Sequence, residues 1–302
     1  MKNITSCILI ICCFIFFTHK VYAQEEEELK QPQIIYFDSK PPPADEAVIF
    51  AKGIVSLKDR WEEKITFSPG GKECFFGRHP DGGNNYFKPK LMHSIFENGK
   101  WSTPKIAKFT NNKIIGYPIF SADGKKIFME QPLDNGAIAR IAFSEKENNT
   151  WSEVDSIIPK IKAKKGFGLA QLTKNNTFYF YDRHLYNAYS SKFKNGKYSK
   201  PKLLPYRINP CAEFFISPNN DYIIFKPLHW SNPFHISFKN DQGKWSLPLK
   251  LNQSYFTKNP ITGYGPYVSP DGKYFFFGKD GDIYWVKTDF IEVLRKRSQS
   301  NL

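Results

Sequence analysis

The sequence predicts an all-β protein: a single closed β-propeller of five four-stranded blades, the last blade completed by a strand from the N-terminal side. Three observations carry this. First, five turn signals recur along the chain: Ser68-Pro-Gly-Gly-Lys72, Ser121-Ala-Asp-Gly-Lys125, Thr173-Lys-Asn-Asn-Thr177, Ser217-Pro-Asn-Asn-Asp221 and Ser269-Pro-Asp-Gly-Lys273. Their first residues lie 53, 52, 44 and 52 positions apart, and a hairpin-bearing recurrence of roughly 40–50 residues is the sequence form of a propeller blade. Second, each turn leads into a run that is apolar on both faces (Cys74–Phe76, Ile127–Met129, Tyr179–Tyr181, Ile223–Phe225, Phe275–Phe277), and such a strand must be covered on both faces, as neighbouring blades do. Third, Ala47-Val-Ile-Phe50 precedes the first turn at the distance at which the outer strand Leu249–Leu251 precedes the last one. A strand there closes the ring and removes exposed sheet edges. A sixth blade is the alternative if residues 30–60 form more than one strand.

Each element has a local reason. The residue before each turn is apolar (Phe67, Phe120, Leu172, Ile216, Val268), which ends an inner strand. Asn, Asp and Gly accept the positive φ a tight turn needs, and Pro presets its entry. A third strand follows (Leu91–Phe96, Ala137–Phe143, Leu185–Phe193, Phe234–Phe238, Ile283–Val286). After it comes a polar turn ending on an aromatic residue: Trp101, Trp151, Tyr198 or Trp245. Three of these continue as Ser-x-Pro before a short outer strand. The fifth unit has neither the aromatic turn nor an outer strand of its own.

Outside residues 46–288 the chain reads differently. Residues 1–23 read as a secretory signal peptide: Lys2, an apolar run Ile8–Phe17, then a small residue, Ala23, before Gln24. That run is shorter than the ~20 residues of a membrane span. Ile11 and Cys12, standing before Cys12 and Cys13, weigh against a lipoprotein signal. Residues 24–45 hold the acidic run Glu25–Glu28 and Pro41–Pro43 and read as a solvated linker. Residues 289–302 read as a short helix reaching Arg297 and a disordered tail. The mature chain then lacks a transmembrane segment.

Composition narrows the function classes. Removing Lys2 and Lys20 with the signal takes the net charge from +14 to +12. The lysines are scattered through loops, densest at Lys160, Lys162, Lys164 and Lys165, and no nucleic-acid module pattern is present, so nucleic acid is not the expected partner. Three of five cysteines fall in the signal; Cys74 and Cys211 lie in non-adjacent units and read as buried apolar residues. The histidines have no zinc spacing, while Asp280-Gly-Asp282 and Asp81-Gly-Gly83 read as turns and not as calcium loops. Neither a metal nor a cofactor is expected. No Gly-x-Ser-x-Gly elbow occurs, and the glycine after Ser121-Ala-Asp falls one position early for a sialidase box.

The four runs FSPGGKECFF, FSADGKKIFM, ISPNNDYIIF and VSPDGKYFFF resemble the TolB-type WD40-like propeller repeat, built on Ser-Pro-Asp-Gly-Lys and following apolar residues. Exported bacterial members often add an opening like Phe50-Ala-Lys-Gly-Ile-Val-Ser56, a Trp-Ser-x-Pro spacer and a closing Asp282-Ile-Tyr-Trp-Val286. The resemblance spans roughly 46–290. It implies a periplasmic or envelope protein, with protein binding as the best-known role, and it supplies no catalytic motif. The third unit departs from the pattern, having neither Pro nor Gly in its turn.

In a propeller the inner strands point their ends at a central channel. The residues four and five positions before each turn are therefore placed at its mouth: Glu63 and Lys64, Gly116 and Tyr117, Gly168 and Leu169, Ala212 and Glu213, Tyr264 and Gly265. Lys64, Tyr117, Glu213 and Tyr264 are the expected binding residues. The expected function is a non-catalytic, monomeric exported module that presents one ring face to a protein or peptide of the periplasm or envelope, or to a glycan. The alternative is a carbohydrate-binding or glycan-cleaving enzyme using Glu63 and Glu213 as acid and base. Loops 78–90 and 226–234, with Tyr86, Phe87 and Trp230, are expected contact surfaces.

Overall fold

The structure is a computed structural model and describes residues 34–82, 88–157, 159, 162–195, 197–228, 232–251, 256 and 261–300. Residues 1–23, expected to be a signal peptide, the acidic run, Tyr86, Phe87 and Trp230 lie outside the described residues. Five antiparallel sheets form the blades of a five-bladed propeller. Their inner strands are Trp61–Phe67, Gly116–Phe120, Phe167–Leu172, Cys211–Ile216 and Tyr264–Val268, and each packs on the next, the fifth on the first. The fifth sheet runs, from outside to inside, Val48–Ile49, Asp282–Lys287, Tyr274–Lys279 and Tyr264–Val268. Val48 pairs with Trp285 and Ile49 with Tyr284, so the N-terminal strand completes the last blade.

The turn residue at the head of each signal has a definite task. Its hydroxyl accepts the first backbone N–H of the second strand: Ser121 from Lys126 (2.9 Å), Ser269 from Tyr274 (2.9 Å) and Ser68 from Glu73 (3.1 Å). In the irregular third turn Thr173 does the same for Thr177 at 3.2 Å while donating to Asn175 Oδ1 at 2.8 Å. A Thr–Asn pair thus replaces Ser–Asp, and the missing Pro and Gly leave the hairpin intact.

The spacer motif is equally local. In the first blade the strand Lys90–Glu97 turns at Asn98 and Gly99, both at positive φ, into Lys100–Trp101. The chain then doubles back so that Lys105–Ile106 pairs with the same strand. Ser94 donates to Ser102 O at 2.6 Å, and Ser102 Oγ accepts the N–H of Ile95 at 3.0 Å. Ser144 with Ser152, Ser191 with Ser199 and Ser237 with Ser246 repeat this clasp.

The spacer aromatic rivets two blades. Trp151 of the second blade meets Phe75 of the first and Phe120 of its own, and donates its indole N–H to Glu73 Oε1 of the first at 2.8 Å. The fifth blade has no such aromatic. There the helix Asp289–Ser300, longer than expected, folds back on the fourth blade. Arg295 bonds Asp221 Oδ2 at 2.9 Å and lies over the Phe238 ring at 4.7 Å. At the seam of the fifth and first blades, Tyr36 fits among Phe67, Tyr274 and Phe276, and Phe37 stacks on Trp101 at 4.4 Å. Cys74 and Cys211 are buried free thiols.

Candidate functional site

Every inner strand slips register at the same place. The ladder is interrupted between Glu62 and Ile65, Gly116 and Ile119, Gly168 and Gln171, Cys211 and Glu213, and Tyr264 and Tyr267. Bulges of this kind bend a strand and free backbone groups from the ladder, and they gather near functional sites. In three blades the residue four before the turn has positive φ: Tyr117 (50°), Leu169 (50°) and Gly265 (60°). Five bulges therefore ring the mouth of the channel.

The carboxylates at this mouth bond to the bulges of other blades. Glu63 Oε1 accepts the Tyr117 N–H at 2.9 Å, and its Oε2 lies 3.1 Å from His79 Nε2. Glu213 Oε2 accepts the Gly265 N–H, and its Oε1 accepts the Tyr117 hydroxyl at 3.0 Å. Tyr117 thus bridges the two acids, one through its backbone and one through its ring. Glycines make room for the carboxylates. A Cβ on Gly116 would fall 1.9 Å from Glu63 Oε1, and one on Gly168 would fall 2.0 Å from Glu130 Oε2. These acids are buried, Glu63 at 1% exposure and Glu213 at 6%.

The expected binding residues separate in space. Tyr117 and Glu213 line a cavity of about 550 Å³ at the channel mouth, together with Glu63, Glu130, Lys165, Tyr181, Arg183 and Tyr186. That size suits a small ligand or the end of a larger one. Lys64 is buried and turns elsewhere, donating to Pro266 O at 2.8 Å. Tyr264 stacks on Trp61, donates to Glu62 O at 3.1 Å and accepts the Gly281 N–H at 3.2 Å. Neither is among the residues lining the cavity.

Sequence reasoning missed Glu130, Tyr181, Arg183, Tyr186 and Lys165. Glu130 and Arg183 meet at 3.2 Å between the second and third blades. A signal for Glu130 exists: an ionisable residue follows the apolar triplet of each second strand by one or two positions, as Arg78, Glu130, Asp182, Lys226 and Lys279 do. Burial pushes the carboxyls of Glu130 and Glu213 above the usual carboxylate range, against the opposing pull of Arg183 on the first and of Gly265, Lys64 and Tyr117 on the second. Burial likewise pushes the Lys64 ammonium down, with Glu213 opposing. Two acids in one cavity therefore hold protons more tightly than in water, a property shared by ligand sites and acid–base sites. Among the described residues no His, Cys, Asp and Glu group could hold a metal ion.

Neither a family model nor a curated protein matches the chain. Among solved structures, TolB from Acinetobacter baumannii is similar over 76% of this chain and 54% of its own, at 15% identity and a TM-score of 0.46. The Pseudomonas aeruginosa periplasmic gluconolactonase PpgL is similar over 71% and 64%, at 12% identity and a TM-score of 0.43. The Xanthomonas campestris gluconolactonase XC5397 is similar over 83% and 95%, at 8% identity and a TM-score of 0.45. The chain spans little more than half the length of TolB and just under two thirds of PpgL.

Proposed function

We propose that this protein is an exported binding propeller whose channel-mouth cavity receives a polar group of a protein or peptide partner. The observation that carries this reading is the commitment of the mouth carboxylates. Both oxygens of Glu63 and both of Glu213 already meet intrachain partners, and Glu130 is held by Arg183. Acids fixed in this way shape a preorganised cavity, and preorganisation lowers the entropic cost of binding. Bulged inner strands and glycines carry Glu63, Tyr117 and Glu213, while Lys165, Arg183 and Tyr186 come from turns beside them. The leader-like residues 1–23 support export, and no helix among the described residues is long and apolar enough to cross a membrane.

The test is site-specific photo-crosslinking in the native envelope. A photoreactive residue at position 186, on the cavity, is compared with one at exposed Pro218, beside the cleft at the turn-bearing end of the inner strands. A discrete protein adduct at 186 and none at 218 is expected. No adduct at 186, or the same products at both, overturns the reading.

One observation favours the enzyme alternative: two acids of the cavity, Glu130 and Glu213, are pushed up by burial, as a general acid must be. That reading requires turnover of a glycan that Glu213→Gln abolishes in a folded protein. It fails if a panel of envelope glycans passes through the protein unchanged.

A further inference from the structure

Resting on the binding reading above, the charge of the inserted group follows from which charges of the cavity stay open. The three lining carboxylates are buried and bonded. The lining cations are more accessible: Lys165 is exposed, and the Arg183 side chain keeps 21% of its surface open while meeting Glu130 at 3.2 Å and the Tyr181 hydroxyl. A guanidinium has five N–H donors, so contacts to Glu130 and Tyr181 leave donors for a ligand. Apolar surface adjoins them: Leu185 is 54% and Tyr186 37% exposed, and Tyr186 itself lines the cavity. Exposed Asp134, two residues from lining Gly136, and buried Asp182, whose Oδ1 accepts the N–H groups of His184 and Leu185, are not among the lining residues.

We propose that Arg183 and Lys165 form an anion subsite that takes a carboxylate of an acidic peptide segment, with Leu185 and Tyr186 packing on the apolar side chains beside it. Arg reads carboxylate geometry through its planar fork, and Lys adds a mobile point charge. A peptide fits better than an acidic sugar. Exposed Leu185 and Tyr186 beside the cations offer a surface to apolar side chains, which a peptide carries and a sugar acid lacks. The placement also gives Lys165 a role within the scattered lysine surplus.

Calorimetry on residues 24–302 tests this with three capped seven-residue peptides of leucine and alanine, bearing three glutamates, three glutamines or three lysines. The glutamate peptide is expected to bind at least about tenfold tighter than the glutamine one, a difference of ~1.4 kcal/mol. Lys165→Gln, at an exposed position, should weaken it about threefold to tenfold, Arg183→Gln further, and salt near 0.5 M should erase most of the preference. Equal binding of glutamate and glutamine peptides, tighter binding of the lysine peptide, or indifference to Lys165→Gln overturns the proposal. So does a galacturonate tetramer that binds more tightly than the glutamate peptide. An adduct at position 186 without a glutamate preference removes the anion subsite and leaves the binding reading standing; loss of that adduct removes both.

Discussion

At the scale of single residues, the mouth of this channel is a packing problem solved with glycine. Gly116 has ordinary φ, so its replacement is a matter of space alone. Gly116→Ala puts a Cβ 1.9 Å from Glu63 Oε1 and 3.0 Å from Pro89 Cγ, so the carboxylate must leave the Tyr117 N–H. The expected cost is ~1–3 kcal/mol, the usual range for overpacking and for an orphaned buried donor. Urea unfolding measures it. In a Glu63→Ala background the same substitution should cost less by about 1 kcal/mol or more; an unchanged cost in the double variant would show that the carboxylate is not what the new methyl meets. Tyr117→Phe is the companion. It removes one hydrogen bond to Glu213 and keeps the backbone one to Glu63, and is expected to cost ~1 kcal/mol.

At the scale of elements, blades are joined by buried polar rivets whose strength depends on pH. Glu73 ends the first turn and reaches the second blade, where Lys146 Nζ lies 2.5 Å from Oε2 and Trp151 Nε1 donates to Oε1 at 2.8 Å; His93 Nε2 also lies 2.8 Å from Oε1. Burial alone would raise this carboxyl, but the bonds from His93, Lys146 and Trp151 outweigh it and hold it down to about 2. A folded-state value below the unfolded one means stability that is present above pH ~4.5 and is lost as pH falls toward 2. The expected contribution is ~3 kcal/mol. Glu73→Gln should flatten the acid limb of the stability–pH curve between pH 4.5 and 2.5; an unchanged limb would remove Glu73 from the account.

This scale also explains what could be read from sequence. The turns, the doubly apolar strands and the aromatic spacers repeat, and repetition made the fold legible. Placing residues four and five before each turn at the mouth follows from the same repeat, and Tyr117, Glu63 and Glu213 do meet there. Lys64 and Tyr264 escaped because a bulge sets each side chain's direction independently. Lys64 turns to Pro266, and Tyr264 lies flat on Trp61. Glu130 comes from a second strand, which reads as core, and Arg183 from the turn just after one, and they meet only because two blades adjoin. The helix that stands in for a missing spacer carries no repeat signal at all.

At the scale of the whole molecule, the ring is closed from the N-terminal side by a two-residue strand and buried aromatic residues, Phe50 and Tyr36 among them. Val48 and Ile49 pair with the fifth blade, and the Phe50 N–H donates to Ile283 O at 2.8 Å. The Phe50 side chain is fully buried, edge-on to Phe276 at 5.0 Å and to Trp285 at 5.1 Å. A two-residue ladder offers little by itself; the Ser56 hydroxyl, which accepts the Ile283 N–H at 3.1 Å, and the buried Phe50 ring add to the hold. Phe50→Ala is expected to cost ~3–5 kcal/mol, as large-to-small changes in a tight core do. Removing residues 24–50 should do more than destabilise. It uncovers the edge of Asp282–Lys287, a strand carrying Ile283, Trp285 and Val286, and a bare apolar edge recruits another chain. Thermal unfolding of Phe50→Ala should show one cooperative transition at lower temperature. Light scattering of the truncated chain should show association that grows with concentration. A truncated protein that stays monomeric with an unchanged melting temperature would mean that the five sheets hold their circle through inner-strand packing and the Lys64–Pro266 and Phe67–Tyr267 bonds alone, with the N-terminal strand an ornament rather than a latch.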